Sequence, residues 1–248
     1  MCEENEIIAF SGVELSCSDT KIHMLIIFDS KCNEMDVQEF LYNVGVDKND
    51  LGESGITCQG SIFDVCEKAK KKEALVIEAH IDEFNGINEL SDDNLKRLLN
   101  REYISAVQIV NKKIWDKILK EEDYENVCEE LKEKYGKEIS IEKVKKWHNA
   151  YQMALKFKIP MLTFSDNPSA KGEASHGLWG IGSAYTWIKM NQNPNLESVR
   201  QTLLSADMRI KNNIDSEVRP DNMPELWINS LKISNTVLNK NDLKIMFT

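Results

Sequence analysis

The chain has 248 residues, with 31 Lys+Arg against 41 Asp+Glu, a formal charge of −10, and 42% hydrophobic residues. Its apolar content is too high for a disordered chain, and no run approaches the roughly 18 consecutive apolar residues of a membrane span. The net charge argues against polyanion binding across the whole surface, while leaving room for a local basic groove.

The acidic opening MCEENEIIAF lacks the basic-then-apolar layout of a secretory signal, so a cytoplasmic location is expected. Six cysteines form no Cys-x-x-Cys pair and none stands beside a histidine at zinc-finger spacing. Reduced, partly buried thiols are the expectation.

Two apolar runs, Ile7–Phe10 and Met24–Phe28, flank the polar stretch Ser16–Lys21 and predict buried strands. Asp36 followed by Glu39 predicts the start of a short helix with Val37, Phe40 and Leu41 on one face. Residues 43–60 are rich in Gly, Asn and Asp and predict a loop. Ser61 then caps a helix with Ile62, Val65, Cys66 and Ala69 inward and Lys70–Lys72 at its negative end. The strand Ala74–Ala79 follows and ends in His80. A helix from about Ser91 (Leu95, Leu98, Leu99) and a strand, Ala106–Val110, repeat that order. Alternating helix and strand argues for a parallel α/β sheet or barrel.

Residues 111–158 break the rhythm. Ile141, Val144, Trp147, Tyr151 and Leu155 recur at helical spacing among lysines, which predicts a helical insertion packed outside the core. The strand Ile159–Phe164 resumes the alternation and runs into Ser165-Asp166. Pro168–Gly182 is a Gly-rich loop, Tyr185–Met190 alternates like a strand, and Leu196–Leu204 reads as a helix. The tail carries an alternating stretch, Leu226–Ile233, and an apolar run, Leu243–Phe247. The domain boundary is expected near residues 211–224, with an α/β domain over 1–210.

Chemistry is expected where strands end. In α/β sheets and barrels, side chains at the carboxyl ends of strands converge on one rim. Glu14, His80 and Asp166 fit that rule. His23 opens its strand, so it joins the rim only if that strand runs antiparallel to its neighbour, as in a hairpin. Such imidazoles and carboxylates are ligands for zinc, manganese or iron. Singly, each of these residues reads more readily as a strand-end cap or turn residue than as a ligand. His148, beside Trp147 on the insertion, reads as structural. His176 lies in Ser-His-Gly-Leu-Trp-Gly, where a ligand and a plain turn residue are both open. No Gly-x-x-x-x-Gly-Lys-Ser/Thr occurs, and Gly180-Ile-Gly182 reads as a tight turn.

Four segments, Gly12-Val-Glu14-Leu-Ser16, Ile22-His23-Met-Leu-Ile26, Glu78-Ala-His80 and Phe164-Ser165-Asp166, resemble successive motifs of the PHP (polymerase and histidinol phosphatase) superfamily. Downstream, Gly180-Ile-Gly182, Thr186-Trp-Ile-Lys189, Leu196–Gln201 and Asp207-Met-Arg209 resemble the narrower TrlF-type group, in which a PHP domain precedes an ABC/SMC-like ATPase.

The resemblance implies an incomplete, distorted (β/α) barrel with a helical insertion and a C-terminal β extension. It implies a metal-dependent phosphoesterase site, with Glu14, His23, His80 and Asp166 as metal ligands. The family's last motif reads Ser-Asp-x-His, whereas here it reads Ser165-Asp-Asn-Pro168; His176 is the candidate to stand in as a catalytic residue. Family members also carry an earlier His-x-His motif and a later ATPase P-loop, so this chain is expected to be an internal piece of that arrangement. Residues 211–248 would then be a linker and the first strands of the ATPase. The implied partners are that ATPase domain or subunit and nucleic acid, in DNA repair or phage defence, with no membrane. The alternative is a catalytically degenerate module that binds and regulates the ATPase.

Overall fold

The computed structural model describes residues 7–51, 53, 55–100, 102–165, 180–190, 195–216, 218, 230–233 and 243–246. The chain divides into two compact units, Met1–Asp215 and Ser216–Thr248. Among the described residues no helix is long and apolar enough to cross a membrane.

The first unit is mixed α/β. Strands β1 (Gly12–Cys17) and β2 (His23–Ile27) form an antiparallel hairpin. Helix α1 (Glu34–Asn43) follows, then β3 (Thr57–Cys58), α2 (Ile62–Lys71) and β4 (Leu75–Glu78). Next come α3 (Asp92–Leu98), β5 (Ala106–Gln108) and three helices, α4 (Lys112–Trp115), α5 (Asp123–Tyr135) and α6 (Ile141–Lys156). Strand β6 (Met161–Leu162) completes a six-stranded sheet of order β3-β1-β2-β4-β5-β6. Strand β2 is antiparallel to both neighbours, whereas β1–β3, β4–β5 and β5–β6 are parallel. A separate ribbon pairs β7 (Thr186–Ile188) with β8 (Ile210–Asn212), on either side of α7 (Leu196–Leu204) and α8 (Ala206–Arg209). The second unit holds a further antiparallel pair, β9 (Ser230–Ile233) and β10 (Leu243–Met246).

Local chemistry explains the best-defined elements. Ser61 caps α2 by accepting from the Asp64 backbone N–H, while the Asp64 carboxylate accepts from the Ser61 N–H. The expected inward face of Ile62, Val65, Cys66 and Ala69 is buried. Ser91 caps α3 by accepting from the Asn94 backbone N–H. Helix α1 starts earlier than Asp36 suggested: Asn33 is its cap, and Asp36 is the third-position partner that closes the box.

Alternation sorts each strand onto two faces. Leu15, Cys17, Met24, Ile26, Val76 and Val107 join the larger core, with α2, α3 and the insertion helices. Leu25, Ile27, Leu75, Ile77, Ala106 and Leu162 face the other way, against Leu196 and Leu203 of α7.

Three expectations need correcting. The first strand is Gly12–Cys17, and Ile7 and Ile8 are exposed coil. The 43–60 segment is not all loop, because β3 pairs with β1 there. The insertion is helical, yet it is not outside the core: Trp115, Val127, Leu131, Val144 and Trp147 are buried in the larger cluster. None of its lysines is buried, and several are exposed; Lys145, for example, pairs with Glu121 at the surface. Helical spacing identifies an apolar face but not what that face meets.

Candidate metal centre

The hairpin settles the orientation of His23. Because β2 is antiparallel to β4, the residue that opens β2 stands level with the carboxyl end of β4. The β1–β2 register puts Ser16 opposite His23 and Glu14 opposite Leu25, so Glu14 and His23 share one face. His80 follows β4 two residues after its last strand position.

These three side chains meet. His23 Nδ1 lies 2.8 Å from Glu14 Oε1 and 3.2 Å from His80 Nε2. His80 Nε2 is 4.0 Å from the same carboxylate oxygen. One ligand atom from each residue falls within 4.8 Å of the others. The rings are edge-to-face, with centroids 5.1 Å apart. A carboxylate only accepts, and a neutral imidazole has one bare nitrogen. Three such atoms, gathered this closely, are a group that could hold a divalent cation with an open coordination position.

The backbone around His80 is specialised. Its φ is +29°, a left-handed conformation that residues with a β-carbon rarely adopt. Gly86 is packed against the turn: a β-carbon there would meet the His80 carbonyl oxygen at 2.5 Å. Asn88 donates to the carbonyls of Ile81 and Glu83, holding the same turn from inside.

Two buried carboxyls flank this point. Asp82 accepts from the backbone N–H groups of Val110 and Asn111 and from Trp115 Nε1, at 3.0, 2.7 and 2.7 Å. Burial pushes its carboxyl up to about 6, and those donors hold it back from rising further. Glu78 is fully buried on the opposite face of β4, and both its oxygens lack a hydrogen-bond partner among the described residues. Burial raises its pKa well above the usual carboxylate range.

Of the sequence-derived candidates, Glu14, His23 and His80 are brought together. Asp166 and His176 lie outside the described residues. His148 is stacked between Trp115 and Tyr151, with Nδ1 2.8 Å from the Tyr124 hydroxyl, which is a packing role. Gly180 and Gly182 both take positive φ in a turn. Sequence reasoning missed Gln108, a buried amide at the end of β5; the available signal was a single amide within the apolar run Ala106–Val110.

No protein-family model and no curated protein matches the sequence. Among solved structures, the chain is similar to one named "putative metal-dependent phosphoesterase" from Bifidobacterium adolescentis. The two are 13% identical with a TM-score of 0.41, over 82% of this chain and 78% of the other.

Proposed function

We propose that this chain is a PHP-like, metal-dependent phosphoesterase domain acting on nucleic acid or nucleotides, within an ATPase-linked system of DNA repair or phage defence. The observation that carries the reading is the convergence of Glu14, His23 and His80 at one strand rim. The order of motifs along the sequence supports it, as does the antiparallel hairpin that His23 required. The distorted-barrel expectation belongs to the same proposal.

The donor set suits zinc, manganese or iron, with Glu14, His23 and His80 as the residues that would hold the ion. Such an ion supplies Lewis acidity and a water acidified towards neutral pH. The chain's own part is to orient the donors. Glu14 contributes negative charge; its acceptor-only carboxylate 2.8 Å from His23 Nδ1 places the proton on Nδ1 when no ion is bound. An ion held there would require Nδ1 bare, with the remaining proton on Nε2. A buried His80, fixed by its backbone, sets the position against which the other two close.

A second reading, a degenerate module that binds and regulates an ATPase, rests on the count of donors. The three present among the described residues suffice for one ion rather than for the two- or three-ion centre the family resemblance implies.

Hydrolysis of bis(p-nitrophenyl) phosphate with added Mn²⁺ separates the two. Metal-dependent hydrolysis that disappears in His80→Ala and survives in His148→Ala supports the enzyme. Metal binding without hydrolysis favours the regulatory module. Hydrolysis indifferent to His80→Ala contradicts the site itself.

A further inference from the structure

We infer that Gln108 is the positioning residue of this centre, acting through the His80 backbone; the inference rests on the metal-site reading above. Gln108 is 3% exposed and ends β5 on the same face as Ala106 and Ile77. Its side-chain Oε1 accepts from the His80 backbone N–H at 3.0 Å. Its backbone carbonyl accepts from the Ile81 N–H at 3.1 Å. The peptide groups on both sides of the His80 α-carbon are therefore held by one residue. His80 needs that restraint because its left-handed backbone is unfavourable and would relax if released. A change of φ there would swing the imidazole away from His23.

The third contact fixes the clamp itself. Gln108 Nε2 donates to the Phe164 carbonyl at 3.1 Å, just past β6. One end of the side chain must accept and the other must donate, which only a carboxamide does without taking up a proton. The orientation of the amide is thus set by its partners. Methionine matches the length and volume but makes neither bond. Asparagine keeps the chemistry but is one methylene too short to span both partners.

The test uses the full chain as Gln108→Met, with Asn212→Leu as the comparison. Asn212 is also buried and makes two side-chain bonds, to the Met161 carbonyl and Thr186 Oγ1, but it does not touch His80. Two quantities are measured: Zn²⁺ affinity by calorimetry, and the ring-to-ring nuclear Overhauser contact between His23 and His80 in the metal-free protein. Gln108→Met is expected to weaken Zn²⁺ binding about 10- to 100-fold, the usual effect of losing a group that orients a ligand, and to abolish the ring contact. Asn212→Leu is expected to lower the melting temperature while leaving both readouts in place. Should Gln108→Met fail to fold, Gln108→Asn carries the same expectation. Retention of both affinity and ring contact in the Gln108 variants overturns the inference. If the wild-type chain binds no Zn²⁺, the metal-site reading fails, and the ring contact alone still decides whether Gln108 positions His80.

Discussion

The two faces of the sheet are built differently. The face carrying Leu15, Cys17, Met24 and Val76 is closed over by α2, α3 and the insertion helices, and it holds the two largest fully buried side chains, Trp115 and Trp147. The face carrying Leu25, Ile77 and Ala106 has a thinner apolar cover, and its neighbours on β1 are the exposed Glu14 and half-exposed Ser16. Candidate ligands sit on the thin side, where a carboxylate and an imidazole keep partial contact with water and avoid the desolvation that full burial imposes. Glu78 shows the contrary case: a carboxyl turned to the dense side, with no hydrogen-bond partner among the described residues and a raised pKa.

The largest stability effect should come from the dense side. Trp147→Ala is expected to cost about 3–5 kcal/mol, the range for removing a buried aromatic. Chemical denaturation measures it directly. A loss below about 1 kcal/mol would restore the view that the insertion is peripheral.

Glu78→Met should act in the opposite direction. Replacing an unpartnered buried carboxyl with an apolar side chain of similar length is expected to stabilise by roughly 1–3 kcal/mol. The gain should depend on pH. Burial raises the folded pKa, so above about 4.3 the unfolded chain releases a proton that the native chain retains. The native state then binds more protons, and wild-type stability falls as pH rises. Denaturation at pH 5 and pH 8 should show a larger advantage for Glu78→Met at pH 8. Equal advantages would mean that Glu78 finds a compensating partner.

The smallest effect belongs to the solvent side of the insertion. Lys145 and Glu121 pair at the surface, with side chains 43% and 75% exposed. Exposed pairs contribute about 0–1 kcal/mol, so Lys145→Ala should shift the denaturation midpoint only slightly. A larger loss would show that the outer face also packs.

The same contrast explains what was legible in the sequence. Helices with hydroxyl caps, such as those opened by Ser61 and Ser91, could be read because cap and apolar face are local signals. Strand β1 was misplaced: the continuous run Ile7–Phe10 outweighs the alternating Gly12–Cys17, although alternation is what a strand open on one face requires. His23 and His80 could be found because strand ends converge, and the hairpin supplied the one condition His23 needed; Glu14 lies within β1 and reaches the site through the register of that hairpin. Gln108 could not, since its importance lies in two partners at sequence distances of 28 and 56 residues. The depth of Trp147 was hidden for the same reason.

Calorimetric titration of the metal-free chain with Zn²⁺ tests the central claim most directly. The account predicts saturable binding near one ion per chain, weakened at least about 100-fold in each of Glu14→Gln, His23→Asn and His80→Asn, because removing a direct donor costs more than removing a group that orients one. His148→Asn, in the aromatic stack, should bind as the wild type does. Absence of binding, or binding that survives all three donor substitutions, would contradict a metal centre at this rim.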